Sequence, residues 1–264
     1  MKEVNSYGWK AVIGSSIGYA MDGFDLLILG FMLTLISGDL GLTTGQAGSL
    51  VTWTLVGAVI GGFIFGTLSD KFGRVRVLTW TIVLFAVFTG LCAFAQGYWD
   101  LLIYRTIAGI GLGGEFGIGM ALAAEAWPAQ HRAKATSYVA IGWQLGVLAA
   151  ALLTPVLLPY IGWRGMFMVG IIPAFVAWFF RAKLHEPEIF VQSKEIKEHS
   201  HTNSFKLLVK DVRTTKTSIG VAILTSVQNF GYYGIMIWLP NFLSKQLGFS
   251  LTKSGLWTAV TVCG

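Results

Sequence analysis

Seven stretches of this chain are each close to the length and apolarity needed to cross a bilayer, and short polar turns separate most of them. A hydrocarbon core about 30 Å thick needs about 20 apolar residues per helix. On that rule the spans fall near 11–36, 48–69, 77–96, 101–124, 136–158, 166–181 and 217–243. The sixth is short by this measure and is expected to extend into 161–165 or 181–184. An eighth begins near 251 and is still apolar at Gly264, the pattern expected of a fragment or a truncated product. The fold class that follows is an all-α polytopic membrane protein.

Composition agrees. Apolar residues make up 54% of the chain and charged residues 12%, with a mean hydropathy of +0.65. A soluble domain carries about 25% charged residues. The 33 glycines fall inside apolar runs, where they let helices approach closely. Cys92 and Cys263 both lie in apolar stretches and read as buried thiols, with no disulfide framework. A signal peptide over 1–37 is ruled against: the stretch is too long, carries two acids, and further spans follow it.

The net charge of +6 does not point to nucleic acid, because the basic residues sit between the spans. Placing the N-terminus inside puts Lys2, Lys10, Lys71, Arg74, Arg76, Arg132, Lys134 and the cluster from Arg181 to Lys216 on the cytoplasmic side. Only Arg164, Lys245 and Lys253 then fall outside, and Arg105 lies within a span. This bias orients a multi-pass protein of the cell membrane with its N-terminus cytoplasmic. The polar stretch 182–216 is a cytoplasmic linker, part of which could form a short interfacial helix. His199 and His201 within it read as a solvated loop, since no further ligands are spaced to complete a metal site.

Asp22 and Asp25 lie in the middle of the first span. A charge at mid-bilayer costs about 2.5–3.5 kcal/mol on insertion scales, so acids there mark function and face the protein interior or water. Three residues apart on a helix, they point to nearly the same side. Entering from Lys10 at 1.5 Å per residue, Asp22 lies ~18 Å deep and Asp25 ~22 Å deep. The fourth span enters from the other face, which puts Arg105 ~24 Å from the inside of a 30 Å core. Asp25 and Arg105 thus fall at similar depth and could pair. Glu115, ~15 Å further along the same helix, is a separate buried acid.

The turn after the second span holds Gly66, Leu68, Asp70, Gly73, Arg74 and Arg76. Gly66 is expected to allow a close helix contact, Gly73 a tight turn, and Asp70 to cap a helix or pair with Arg74. This spacing resembles the loop between helices two and three of the major facilitator superfamily, G-x-L-x-D-x-x-G-R-x-R/K. The fourth span, with Arg105, Gly109, Gly111, Gly113 and Gly114, is similar to the family's fourth helix. There Gly109, Gly113 and Gly117 form a stripe expected to pack closely. Glu125 with Arg132 resembles the loop in which an acid and an arginine latch the cytoplasmic side, and Gly162-Trp163-Arg164 resembles the turn before helix six. His185-Glu186-Pro187-Glu188 resembles the P-E-S-P motif but lacks its serine and its arginine. Tyr232-Tyr233-Gly234 with Trp238 and Pro240 resembles helix seven of metabolite:proton symporters, and Asp22-Gly-Phe-Asp25 narrows this towards carriers of sialic, aromatic or nicotinic acids.

The resemblance implies a major facilitator fold: a complete N-terminal six-helix bundle over 1–181, the linker 182–216, and the start of a C-terminal bundle over 217–264. It implies a secondary transporter, not an enzyme, that moves a small organic anion together with protons by alternating access, as a monomer in the lipid bilayer and without cofactor or metal. Asp22, Asp25 and Glu115 are the proton-coupling candidates. Arg105, Gln144, Gln228, Asn229, Tyr232 and Tyr233 are the substrate-binding candidates, although for the last five filling polar gaps between helices is an equal alternative. Gly66, Asp70, Gly73, Arg74, Arg76, Glu125 and Arg132 form the expected cytoplasmic gate. Two other readings stand beside this one: a uniporter or sugar carrier in which the acids only orient helices, and a non-transporting membrane receptor. An intramembrane enzyme of the His-Glu-x-x-His kind is ruled against, since the sequence lacks that motif and no span holds a histidine.

Overall fold

A computed structural model describes residues 6–181, 185, 186, 190, 209–248 and 250–263. The described residues form helices joined by short turns. In chain order these are α1 (Ser6–Asp39), α2 (Thr44–Phe72), α3 (Arg74–Cys92) and α4 (Tyr98–Glu125), followed by a 3₁₀ turn at Ala129–His131. The helical run Arg132–Arg181 breaks at Gly162, where φ is 63° and ψ 178°, and is therefore two helices, α5 (132–161) and α6 (163–181). Then come α7 (Val212–Leu247) and α8 (Leu251–Cys263). The interfacial helix expected in the linker and the pair His199 and His201 lie outside the described residues.

The boundaries follow from local chemistry. Thr43 and Gln46 form a reciprocal capping box at the start of α2. Asp211 caps α7 by accepting from the Thr214 N–H, and that bond holds its carboxyl below the usual carboxylate range. Gly73 alone separates α2 from α3, at a φ of 111° that a side chain would disfavour. α3 stops at Cys92, short of the expected 96, because residues 93–95 turn back to bond the carbonyls of Gly90, Leu91 and Cys92.

α1 is the innermost helix, buried on most of its circumference, and packs chiefly against the run through α5 and α6; α2 packs chiefly against α4. A helix apolar all round belongs in such a place. The α2–α4 seam is built from glycines on both sides. Gly57 and Gly61 face the carbonyls of Thr106 and Ile110, while Gly109 and Gly113 face those of Thr54 and Ala58. Gly142 and Gly146 of α5 likewise meet the carbonyls of Ser16 and Ala20 on α1. Any side chain at these positions would collide with backbone, so the helices touch main chain to main chain.

Two expectations about glycine packing fail. A Cβ on Gly66 or on Gly117 would meet nothing within 4 Å. The stripe continues in sequence past the point where the partner helix stops touching it.

Among the described residues, five helical runs are long and apolar enough to cross a membrane, the one through α5 and α6 being long enough for two crossings. α7 is not among them. Thr225, Gln228 and Asn229 lower its hydropathy in the half that borders the central cavity.

Candidate functional site

α1 carries Asp25 into the bundle with 0% of its surface exposed, and α4 carries Arg105 to it, also 0% exposed. The guanidinium grips the carboxylate with both terminal nitrogens, Nη1 to Oδ1 at 3.0 Å and Nη2 to Oδ2 at 2.7 Å. Nε donates to the Thr54 hydroxyl of α2 at 3.4 Å, and the Phe167 ring of α6 lies 5.8 Å from the guanidinium carbon. The pair that depth makes possible is thus formed, and four helices enclose it. A bidentate, charge-assisted contact is the arrangement that offsets the desolvation of two buried ions best.

One turn before Asp25, Asp22 is also buried, yet it sits on the wall of a cavity of about 690 Å³. The wall is made by α1, α2, α4, α5 and α7, with Tyr19, Asp22, Leu55, Phe116, Trp143, Asn229, Tyr233 and Trp238 among its side chains. Tyr19 stacks between Phe116 at 5.0 Å and Trp143 at 5.1 Å, and Trp143 stands edge-on to Tyr233 at 6.0 Å. Trp143 also donates its indole N–H to the Tyr232 hydroxyl at 2.7 Å, and that hydroxyl donates to Gln144 at 3.3 Å. The chain of hydrogen bonds ties α5 to α7.

The predicted residues separate into groups. Asp22, Asn229 and Tyr233 line the cavity; Gln144 and Tyr232 stand behind it through Trp143. Arg105 does not reach the wall, being sequestered by Asp25. Gln228 is exposed on α7 away from the cavity. Glu115 is buried between α3 and α4, where it accepts from the Thr81 hydroxyl at 2.8 Å, and it too lies off the cavity. The aromatic wall of Tyr19, Phe116, Trp143 and Trp238 went unpredicted. An aromatic side chain inside a span reads equally well as core or as lipid-facing surface, so nothing in the sequence marks it.

At the far end of the bundle, Arg74 organises the expected gate. It bridges Asp70 at 2.7 Å and Glu125 at 3.2 Å, and donates to Ser69 at 2.6 Å. The expected latch between Glu125 and Arg132 does not form: Glu125 turns to Arg74, and Arg132 is exposed and makes no ion pair among the described residues. Arg76 is exposed, its backbone N–H bonded to Glu186. Glu186 is the residue that sequence reasoning left out of the gate. Its carboxylate accepts from the N–H groups of Val75 at 3.1 Å and Arg76 at 3.1 Å, capping α3 from more than a hundred residues away. Gly66 and Gly73 border this region, Gly66 on an open cleft with Asp70 and Arg74, and Gly73 against Glu186.

At the opposite end, Asp39 closes α1 onto the α5–α6 turn. It accepts from the Trp163 indole at 3.0 Å and pairs with Arg164, whose guanidinium lies 4.1 Å over the Trp163 ring and also bonds the Ala95 carbonyl.

Residues 15–264 match the sequence model of the Major Facilitator Superfamily. The chain belongs to this family. It is 79% identical over 267 residues to the "Putative metabolite transport protein" of Haemophilus influenzae, covering 99% of this chain and 66% of that protein. It is 33% identical over 255 residues to the cis,cis-muconate transport protein of Acinetobacter baylyi, covering 95% of this chain and 62% of that one. The chain thus spans less than two thirds of the length of either relative. A crystal structure of a D-xylose–proton symporter superposes with a TM-score of 0.76 over 98% of this chain and 66% of that chain, at 22% identity, a likeness of fold. The chain is a membrane protein of the major facilitator fold, as its motifs implied.

Proposed function

We propose that this chain serves proton-coupled transport of a small organic acid by alternating access. The observation that carries the reading is the fully buried Asp25–Arg105 pair, one helical turn from an acid on the wall of a central cavity. Relatives that transport organic acids, such as the muconate carrier, support the substrate class.

The coupling follows from electrostatics. Arginine stays protonated at every physiological pH, so the member of the pair that can change charge is Asp25. A proton on Asp25 removes the Coulombic hold on the guanidinium. The freed planar fork of Arg105 then suits a substrate carboxylate, which it can bind through two hydrogen bonds. When the proton leaves, Asp25 recaptures Arg105 and the substrate is released. Asp22 remains a second candidate for the proton, and Glu115 a third that acts away from the cavity. The cluster of Asp70, Arg74, Glu125 and Glu186 is the cytoplasmic gate, in a cell membrane with the N-terminus inside, and Tyr233, with Tyr232 behind it, belongs to the side of the cavity that moves with α7.

The test is accumulation of labelled cis,cis-muconate, benzoate and nicotinate by liposomes containing the chain, with a pH gradient imposed. Uptake above equilibration that a protonophore abolishes is expected for at least one of them. Uptake that equilibrates at the same rate with and without the gradient would instead establish a uniporter.

A further inference from the structure

The lining of the central cavity carries a charge opposite to what an organic anion alone would require. Among its described lining residues Asp22 is the one formally charged side chain, and lysine, arginine and histidine are absent. Arg105 is held behind the wall by Asp25. The wall that Asp22 lines is aromatic: Phe116, Tyr19, Trp143 and Tyr233, in that order, stand with successive ring centroids 5.0, 5.1 and 6.0 Å apart. Ring faces carry negative potential, so a carboxylate beside several of them attracts a cation through both ion pairing and cation–π contact.

The geometry points to a subsite for a positively charged nitrogen, formed by Asp22 with the rings of Tyr19, Phe116, Trp143 and Tyr233, which selects an amphoteric substrate: a carboxylate at one end and a protonated or quaternary nitrogen at the other. This deepens the transport reading above and rests on it for the cavity being the substrate's path. The two ends of such a molecule would meet two residues already one turn apart in depth. Its carboxylate takes Arg105 once Asp25 is protonated, and its nitrogen takes Asp22. A purely anionic substrate fills the first position and leaves Asp22 facing an anion or an apolar edge. The wall thereby discriminates by charge pattern and not by size, since 690 Å³ admits either kind of molecule.

The probes are N-methylnicotinate, which is amphoteric, and benzoate, which matches it in ring size and carboxylate but lacks the nitrogen charge. Binding to the purified chain in nanodiscs is read from the fluorescence of its tryptophans, two of which line the cavity, and by isothermal calorimetry. N-methylnicotinate is expected to bind about tenfold tighter than benzoate or better. Asp22→Asn removes the difference, while Asp22→Glu retains it. Tyr233→Leu, which keeps the acid, reduces it. Equal affinities in the wild type, or a preference that survives Asp22→Asn, overturn the inference and leave organic-acid transport standing. Failure of benzoate, nicotinate and N-methylnicotinate all to bind overturns the transport reading and the subsite with it.

Discussion

The guanidinium of Arg105 directs both terminal nitrogens at Asp25 and its remaining N–H at Thr54, so each charge-bearing face has a partner inside the bundle. Removing one member leaves the other as an uncompensated buried charge, which costs about 3–5 kcal/mol. Arg105→Leu is therefore expected to lower thermal stability in detergent sharply, and Asp25→Asn combined with Arg105→Gln to recover part of the loss; equal losses in the single and double variants would contradict the pairing. Glu186→Ala is expected to cost about 0.5–2 kcal/mol, the worth of a helix cap, measured in the same way. These two contacts differ in how far the sequence discloses them. Helical rise fixes depth, so the amino-acid sequence alone brings Asp25 and Arg105 to one level, where they could pair. Glu186 bonds to backbone N–H groups, which carry no residue-type signature. Glu125 lies close to Arg132 along the chain, and that adjacency is a poor guide to proximity in space. Arg74 captures Glu125 because α3 begins immediately after Gly73, which brings its first residue to the end of α4.

The elements were legible wherever an apolar run had the length of a bilayer crossing, since lipid leaves the backbone few alternatives to a helix. The join between α5 and α6 falls at the expected turn, Gly162-Trp163-Arg164, where a single glycine at φ 63° and ψ 178° breaks the helical run. Glycine periodicity misled at its edges. Gly113 touches the Ala58 carbonyl, whereas Gly117, one turn on, faces open space. Gly113→Leu is accordingly expected to abolish recovery of monodisperse protein on size exclusion, and Gly117→Leu to leave it within about twofold, the pair differing only in what the partner helix presents. Equal yields would show that α2 and α4 do not meet main chain to main chain. Gly162→Ala is expected to destabilise by about 1–3 kcal/mol, because that backbone region is open essentially to glycine alone; a thermal shift indistinguishable from zero would exclude the strained turn.

Across the whole molecule, the cavity is bounded by α1, α2, α4, α5 and α7, with α7 closing one wall through Trp143 and Tyr232. Asp22 lines this space and Asp25, three residues on and nearly the same side of α1, does not, because its carboxylate is turned onto Arg105 of α4. In the proposed mechanism proton coupling depends on Asp25 letting go of Arg105, and the Asp25→Asn variant isolates that step. In liposomes loaded with unlabelled substrate and diluted into labelled substrate without a pH gradient, this variant should still exchange one for the other. With a gradient and empty liposomes, it should fail to accumulate substrate above equilibration. Accumulation at the wild-type level by Asp25→Asn would contradict the account.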